Sequence, residues 1–183
     1  MRPAGRLYEW WRMTLFKNKY RIESTRLKNW NYASAGWYFI TICTKNRELF
    51  FGDVKNGEMV LSAAGEIVSE EWLKAEEIRS NVDLDEWIVM PNHVHGIIVI
   101  THTIASTSKG KLKANSASSI IGQFKSACTK RIWASGLNAF DWQPRFYDEI
   151  IRSETQLTNI RQYIANNPLK WELDKDNPVS LWM

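Results

Sequence analysis

Two histidines in the stretch PNHVHGIIVI, residues 91–100, have a type and spacing that could do chemistry. His93 and His95 precede the apolar run IIVI, which is typical of a buried strand. Side chains alternate between the two faces of a strand, so both imidazoles are predicted to point to one side. Two neutral imidazoles in one place can bind a divalent metal ion. Two histidines at a wet sheet edge would give the same pattern, so the pair leaves both interpretations open.

A tyrosine and an asparagine near the end of the chain could complete such a site. Tyr163 and Asn167 are four residues apart in SETQLTNIRQYIANNP, 153–168, so they share one face of a predicted helix. The amide oxygen of Asn167 could be a further ligand for Mg²⁺ or Mn²⁺. A phenol beside a metal-bound phosphate is a nucleophile for phosphoryl transfer, which would leave a covalent phosphotyrosine. The structural alternatives are a tyrosine at the core or its rim and an asparagine that ends a helix before proline.

Two further residues compete for these roles. Tyr147, in RFYDE, is close to Tyr163 in sequence but lies on a predicted extended segment before the helix. His102, the third histidine, stands near the start of a polar loop over 101–115. An exposed loop position is favoured for it, and contact with DNA is the alternative.

Hydrophobic spacing predicts the elements that would position these residues. Strands rich in aromatic and β-branched residues are predicted at 36–44, 82–90 and 93–101, and Pro91-Asn92 joins the last two into an antiparallel hairpin. Asn56-Gly57 predicts a second, shorter hairpin. Helices are predicted from Ser62 to about Ser80, from Ser116 or Ser118, and over 153–168 between the cap Ser153 and Pro168. The apolar face of the second helix comprises Ile120, Ile121, Phe124, Cys128 and Ile132.

The order of these elements predicts the fold class. Two short strands, a helix, a hairpin, a helix, an extended piece and a helix favour an α+β sandwich, in which an antiparallel sheet carries helices packed on one face. With 183 residues, the chain predicts a single domain over 21–183, preceded by a basic arm over 1–20. We expect that arm to be flexible or loosely docked.

Composition excludes several classes of protein. A hydrophobic content of 44% without a run of about 18 apolar residues argues against a membrane span. The N-terminal LYEWWRMTLF is too short and too charged for a secretory signal. Cys43 and Cys128 form no CxxC motif, so the sequence favours a reduced, cytoplasmic protein.

The distribution of charge suggests a polyanionic partner. Residues 1–33 carry eight Lys/Arg against two Asp/Glu, residues 45–90 carry five against eleven, and residues 102–152 carry eight against three. Basic segments around an acidic helix favour a polyanion on one side of the fold, although solvated faces give the same counts. The residues predicted to contact phosphates or bases are Lys125, Lys130, Arg131, Gln143, Arg145 and Arg152.

Three segments in order, WIVMPNHVHGIIVI, FKSACTKRIW and WQPRFYDEIIRSETQLTNIRQYIANNPLKW, together resemble the REP-associated tyrosine transposases. These belong to the single-tyrosine HUH transposases, and the resemblance covers about residues 20–173. It implies a ferredoxin-like α+β domain with the histidines on a central strand and the tyrosine on a C-terminal helix. It also implies cleavage of single-stranded DNA near imperfect hairpins, through a 5′-phosphotyrosine and a free 3′-OH. Rejoining would reverse that step.

By this resemblance, His93 and His95 match the metal-holding pair and Tyr163 matches the nucleophile. Asn167 lies where the third ligand falls, a position that is Gln in insertion-sequence relatives. The implied partners are a divalent metal, Mg²⁺ or Mn²⁺, and hairpin-forming DNA, with the protein acting as a monomer or homodimer at the nucleoid. The alternatives are a catalytically silent hairpin-DNA-binding protein, a replication-initiator nuclease, and a structural metal protein, for which no fourth ligand is evident.

Overall fold

The computed structural model describes residues 14–16, 19–21, 30–104 and 115–174. Its strands are β1 (Thr14–Phe16), β2 (Lys19–Arg21), β3 (Gly36–Cys43), β4 (Gly52–Lys55), β5 (Glu58–Leu61), β6 (Val82–Met90), β7 (His93–Ile100) and β8 (Tyr147–Ile151). Its helices are α1 (Ala63–Glu77), α2 (Ala117–Ala134), α3 (Glu154–Ala165) and α4 (Asn167–Asp174), and a 3₁₀ turn spans Lys45–Arg47.

A four-stranded antiparallel sheet in the order β6-β7-β3-β8 forms the centre of the protein. Counting only these strands and α1 and α2, the chain runs βαββαβ, which is the ferredoxin-like arrangement. β4 and β5 form a separate hairpin around Asn56 and Gly57, as predicted. β7 is a central strand with every residue except Val99 buried, because its apolar residues supply both faces of the sheet. The α+β class is therefore confirmed.

The first face of the sheet is covered by α1 and α2. Tyr38, Ile40 and Ile98 on the strands pack in one cluster with Trp72 of α1 and with the predicted apolar face of α2. All five residues of that α2 face are buried. The side chains of Ser62 and Ser116 accept hydrogen bonds from the amides of Gly65 and Ser119, which caps both helices where the sequence predicts.

Gly96 determines how closely α1 approaches β7. A Cβ atom at Gly96 would lie 2.3 Å from Cζ2 of Trp72. No side chain larger than hydrogen fits there unless the indole moves. Gly96 therefore allows the first face of β7 to pack directly against α1. The side chain of His95, the preceding residue, points to the other face.

The prediction that helices lie on one face is wrong in one respect, because α3 packs against the opposite face. Phe39, Ile97 and Ile151 of the sheet form a second, smaller cluster with Leu157 and Ile164 of α3. The strands carry apolar residues at both alternating sets of positions, so each face needs a cover. His93 and His95 belong to the same set as Ile97, which directs both imidazoles toward the α3 side.

The predicted helix over 153–168 is in fact two helices. α3 begins after Ser153, whose hydroxyl accepts from the Gln156 amide, and ends with Asn166 as its cap. Pro168 lies in the first turn of α4 and does not end a helix. Proline is tolerated there because the first amides of a helix have no intrahelical acceptor. Tyr163 and Asn167 therefore stand on consecutive helices.

Two expectations fall partly outside the described residues. Within the arm, β1 and β2 pair as an antiparallel hairpin, and residues 1–13 and 17–18 lie outside the described ranges. Of the polar loop, residues 105–114 also lie outside them. No helix within the described ranges is long and apolar enough to cross a membrane.

Candidate active site

The structure places the two histidines together in a buried position. The ring centroids of His93 and His95 are 4.4 Å apart, and the two residues are 6% and 4% exposed. Burial holds the pKa of His93 well below its ordinary value and lowers the pKa of His95 to about 3, with the charge of Arg47 adding to both effects. Both imidazoles are therefore neutral near pH 7 and can offer a lone pair to a cation.

Hydrogen bonds orient both rings. Nδ1 of His93 lies 2.7 Å from Oδ1 of Asn92, and Nδ1 of His95 lies 2.8 Å from Oγ1 of Thr41. An amide oxygen only accepts, so Nδ1 of His93 carries the proton and Nε2 carries the lone pair. The Thr41 hydroxyl can donate or accept, and a donated proton at Nδ1 of His95 gives the same tautomer. Hydrogen bonds at the ring nitrogen that does not bind the metal orient histidine ligands in metal sites.

Tyr163 of α3 reaches the histidines from across the second face. Its hydroxyl oxygen is 3.2 Å from Nε2 of His95, and the side of its ring packs edge-on against Phe39 at 6.1 Å between centroids. The residue is 38% exposed, so part of its side chain reaches the surface while its hydroxyl is held against His95. Burial raises the pKa of Tyr163, while a hydrogen bond with Asn167 and the charge of Arg47 lower it.

An ion pair connects α3 to strand β6 of the sheet. Arg161 donates to both carboxylate oxygens of Asp85 on β6, each at 2.7 Å. The Arg161 guanidinium also lies 5.7 Å from the centroid of the Trp37 ring. Bidentate pairs of this kind are geometrically specific. They hold the helix that carries Tyr163 in one position relative to β6.

Asn167 joins the histidines and the tyrosine at the start of α4. It is 7% exposed, and its side chain hydrogen-bonds to His93 and to Tyr163. Across the described part of the chain, no group of three or more His, Cys, Asp and Glu side chains is arranged to hold a metal ion. Two imidazole nitrogens and an amide oxygen are nevertheless a neutral, three-donor set. This set fits a divalent ion that takes its other ligands from phosphate oxygens and water.

Asn92 and Arg47 are site residues that the sequence interpretation missed. Asn92 accepts from His93 and donates through Nδ2 to the backbone oxygen of Arg47 at 3.1 Å. Asn46 and Arg47 have positive φ angles of 54° and 59°, and this bond helps to hold that uncommon backbone. Asn92 could have been found from its place beside His93, whereas Arg47 comes to the site only because β3 pairs with β7.

The competing candidates lie apart from the histidine pair. Tyr147 faces the same side of the sheet, and its hydroxyl donates to Oε2 of Glu149 at 2.8 Å. His102 follows the far end of β7 and is exposed, with Nδ1 3.1 Å from Oγ1 of Thr101. The structure therefore brings His93, His95, Tyr163 and Asn167 together and places the alternatives elsewhere.

The predicted DNA-binding residues fall into separate groups. Lys125 donates to the backbone oxygen of Gln143, and Lys130 is exposed one turn further along α2. Arg131 instead faces α1, where it pairs with Glu70 and Glu71 at 2.6 and 2.7 Å. Arg145 precedes β8 and Arg152 follows it, both exposed. Lys125, Lys130 and Gln143 are thus the members that lie together.

Comparison with known proteins assigns the family. The family described as "Transposase IS200 like" matches residues 32–167, which hold the whole histidine, tyrosine and asparagine cluster. The chain belongs to the IS200-like transposases. It is 39% identical to an uncharacterized protein of Haemophilus influenzae over 165 residues, covering 83% of this chain and 91% of that one.

One solved structure has the same fold as this IS200-like transposase. A REP-associated tyrosine transposase bound to a REP hairpin superposes with a TM-score of 0.56 at 22% identity, covering 79% of this chain and 73% of that chain. A putative transposase of Deinococcus radiodurans superposes with a TM-score of 0.44 at 16% identity, covering 78% and 97%. The chain is thus a transposase of the IS200-like family, and its fold is that of the REP-associated transposase.

Proposed function

We propose that this transposase is a metal-dependent single-stranded DNA endonuclease and strand transferase that acts at hairpin-forming repeats through a 5′-phosphotyrosine at Tyr163. One observation carries the proposal: the Tyr163 hydroxyl lies 3.2 Å from Nε2 of a buried, neutral histidine pair. A candidate nucleophile and a candidate cation-binding pair are then in one place. The reaction would take place in the cytoplasm, on DNA of the nucleoid.

The chemical step follows from the position of Tyr163. Its hydroxyl oxygen forms a bond to the scissile phosphorus while the bond from phosphorus to the 3′ oxygen breaks. The phenol gives its proton to solvent water, and the departing 3′ oxygen takes a proton from solvent water to become a free 3′-OH. The energy of the broken ester is kept in the new phosphotyrosyl ester, so attack by another 3′-OH rejoins DNA without an external energy source.

His93, His95 and Asn167 would hold the metal ion, Mg²⁺ or Mn²⁺. Transposases of this family generally use a divalent metal, which supplies Lewis-acid polarisation of the scissile phosphate when bound. Arg47 would contribute a positive charge at the same site. In support of this, the charge of Arg47 lowers the pKa of both histidines. That charge would attract the phosphate and stabilise the phenolate of Tyr163.

A hairpin with a single-stranded flank is the proposed substrate. The solved relative of the same fold was captured with a REP hairpin. In this chain an unpaired strand would bind at the surface around Tyr163, and basic residues outside the cluster would contact the stem. The protein would act as a monomer or as a homodimer.

The experiment that tests the proposal uses labelled DNA hairpins from repeats near the gene, with Mg²⁺ or Mn²⁺. We expect a protein–DNA adduct that survives denaturing electrophoresis and disappears in EDTA. Tight hairpin binding without an adduct under any metal would contradict the proposal and favour the alternative, a catalytically silent hairpin-binding protein. A fully duplex DNA of the same sequence is the control and should form no adduct.

Replacing Asn92 with alanine should weaken metal binding about 10–100-fold, as the loss of partners behind a metal ligand generally does. The reason is that His93 loses the acceptor that fixes its tautomer, and the backbone of Arg47 loses a donor. Isothermal titration with Mn²⁺ measures the affinity.

Asn81→Ala is the matched control for Asn92→Ala. Asn81 is also a buried asparagine that donates to a backbone oxygen, that of His102 at 2.9 Å, but it lies at the far end of the hairpin. Both variants should unfold at a lower temperature, and only Asn92→Ala should lose Mn²⁺ affinity. Equal Mn²⁺ affinities in the two variants would show that Asn92 has a purely structural role.

A further inference from the structure

A groove of about 590 Å³ lies between α2 and the segment that precedes β8, outside the histidine and tyrosine cluster. Its walls include the basic residues Lys125 and Lys130, the hydroxyl of Thr129, and the indoles of Trp133 and Trp142. This volume is typical of a site for a small ligand or one unit of a polymer. The combination of cations and flat aromatic rings indicates what chemistry the groove takes.

Trp133 is a fixed aromatic platform at this groove. The residue is 49% exposed, although its indole nitrogen donates a 2.9 Å hydrogen bond to the backbone oxygen of Phe140. That bond fixes the ring, so little freedom would be lost when a flat partner stacks on it. Base stacking on such rings tolerates any sequence, because every nucleobase has a π face.

The groove carries a net positive charge, because the acidic residue that lines it is paired with a lysine. Asp141 also lines it, but its carboxylate pairs with Lys45 at 2.9 Å. The ammonium group of Lys125 lies 5.9 Å from the centre of the Trp142 ring and donates to the Gln143 backbone. Lys130 is exposed beside it. Two cations around an aromatic platform complement a phosphate–base unit of a nucleic acid.

The groove adjoins the end of β3 at which His93 lies. The amide of Gln143, whose carbonyl binds Lys125, donates to the carbonyl of Cys43 at 2.9 Å. Cys43 in turn is paired with His93 across β3 and β7. The groove is lined by α2, which covers the first face of the sheet, and the histidine pair lies on the second face. One backbone contact and one strand pairing link the two at the same end of the sheet.

We propose that this groove binds the single-stranded DNA that adjoins the scissile phosphate, with a base stacked on Trp133 and backbone phosphates at Lys125 and Lys130. The inference rests on the proposed cleavage of single-stranded DNA and adds the surface that receives the flank. It separates two tasks: the cluster around Tyr163 cuts the strand, and the groove holds the strand in register.

The test measures binding of fluorescent (dT)₁₀ to the full chain in the Tyr163→Phe background. Trp133→Ala should bind about tenfold more weakly, the expected order for one lost base stack. Trp30→Ala is the control, because Trp30 is also exposed and donates its indole N–H, to Tyr38 at 3.3 Å, but lies beyond the opposite end of β3. It should bind (dT)₁₀ as the parent protein does.

A second variant keeps the test decisive if Trp133→Ala fails to fold. Lys130→Gln should reduce the slope of log affinity against log salt by about 0.7, the value for one phosphate contact on a single strand. Lys55→Gln, an exposed lysine on β4, should leave the slope unchanged. An unchanged slope in Lys130→Gln overturns the proposal.

Three other outcomes are informative. Unchanged (dT)₁₀ affinity in folded Trp133→Ala, with wild-type protein still forming its covalent adduct, overturns the groove proposal alone. Preference for a poly-glutamate peptide over (dT)₁₀ also overturns it, since the groove would then serve an acidic protein. Weakened (dT)₁₀ binding in Trp133→Ala, with no adduct in the wild type, supports the groove and contradicts the nuclease.

Discussion

The Tyr163→Phe variant should bind hairpin DNA like the wild type and form no covalent adduct. The change removes only the hydroxyl that lies 3.2 Å from Nε2 of His95, while the ring keeps its edge-on contact with Phe39 and remains under the ammonium group of Lys170. Loss of a nucleophile in covalent catalysis generally lowers the rate by more than about 10³-fold. Denaturing electrophoresis of labelled hairpin reactions measures the adduct, and a binding titration measures the affinity.

Tyr147→Phe is the matched control for Tyr163→Phe. Tyr147 contacts the same Phe39 ring, at 6.2 Å between centroids, but its hydroxyl donates to Glu149. This variant should form the adduct at nearly the wild-type rate. An adduct that persists in Tyr163→Phe and disappears in Tyr147→Phe would assign the nucleophile to the other tyrosine. Mass spectrometry of the DNA-linked peptide identifies the residue independently.

Removing either imidazole should strongly reduce metal-dependent cleavage. His93→Ala and His95→Ala each delete one of the two buried nitrogen donors, whose low pKa values keep them neutral and ready to bind a cation. We expect a loss of more than about 100-fold in the cleavage rate, since changes behind a metal ligand alone cost about 10–100-fold. The readouts are the adduct assay and Mn²⁺ titration.

Two comparisons separate a metal role from a structural role. His102→Ala removes the exposed third histidine and should leave both readouts unchanged. In His93→Ala and in His95→Ala, a large excess of Mn²⁺ should restore part of the cleavage, because two of the three proposed metal ligands remain. Full activity in His93→Ala or His95→Ala, or failure of Mn²⁺ to bind the wild type, would remove the metal from the proposed mechanism.

Short-range patterns in the sequence predict much of this fold. The alternation in PNHVHGIIVI places His93 and His95 on one face, and the apolar spacing of α2 identifies five of its six buried residues. The cap at Ser62 is also predicted correctly, since each such signal depends on residues within one turn of one another. Local chemistry therefore accounts for the elements and their faces.

Long-range contacts account for what the sequence did not predict. Arg47 reaches the histidines through strand pairing, and no local sequence pattern distinguishes it from the other arginines of the chain. The break between α3 and α4 was missed because Pro168 is compatible with both the end and the start of a helix. α3 covers the second face because Phe39 and Ile97 place apolar side chains there. A sheet with helices on only one face would not need apolar residues at these positions. The roles of Tyr163, His93, His95 and Asn167 remain predictions.

The contact between Gly96 and Trp72 limits how the protein can be re-engineered. A single methyl group at position 96 would meet the indole at 2.3 Å and push β7 away from α1, and His95 would move with the strand. A mutant library intended to alter DNA preference can therefore randomise the surface around Lys130 and Trp133 at low risk. It has to keep Gly96 and Trp72 unchanged, because their contact determines the position of β7, the strand that carries His93 and His95.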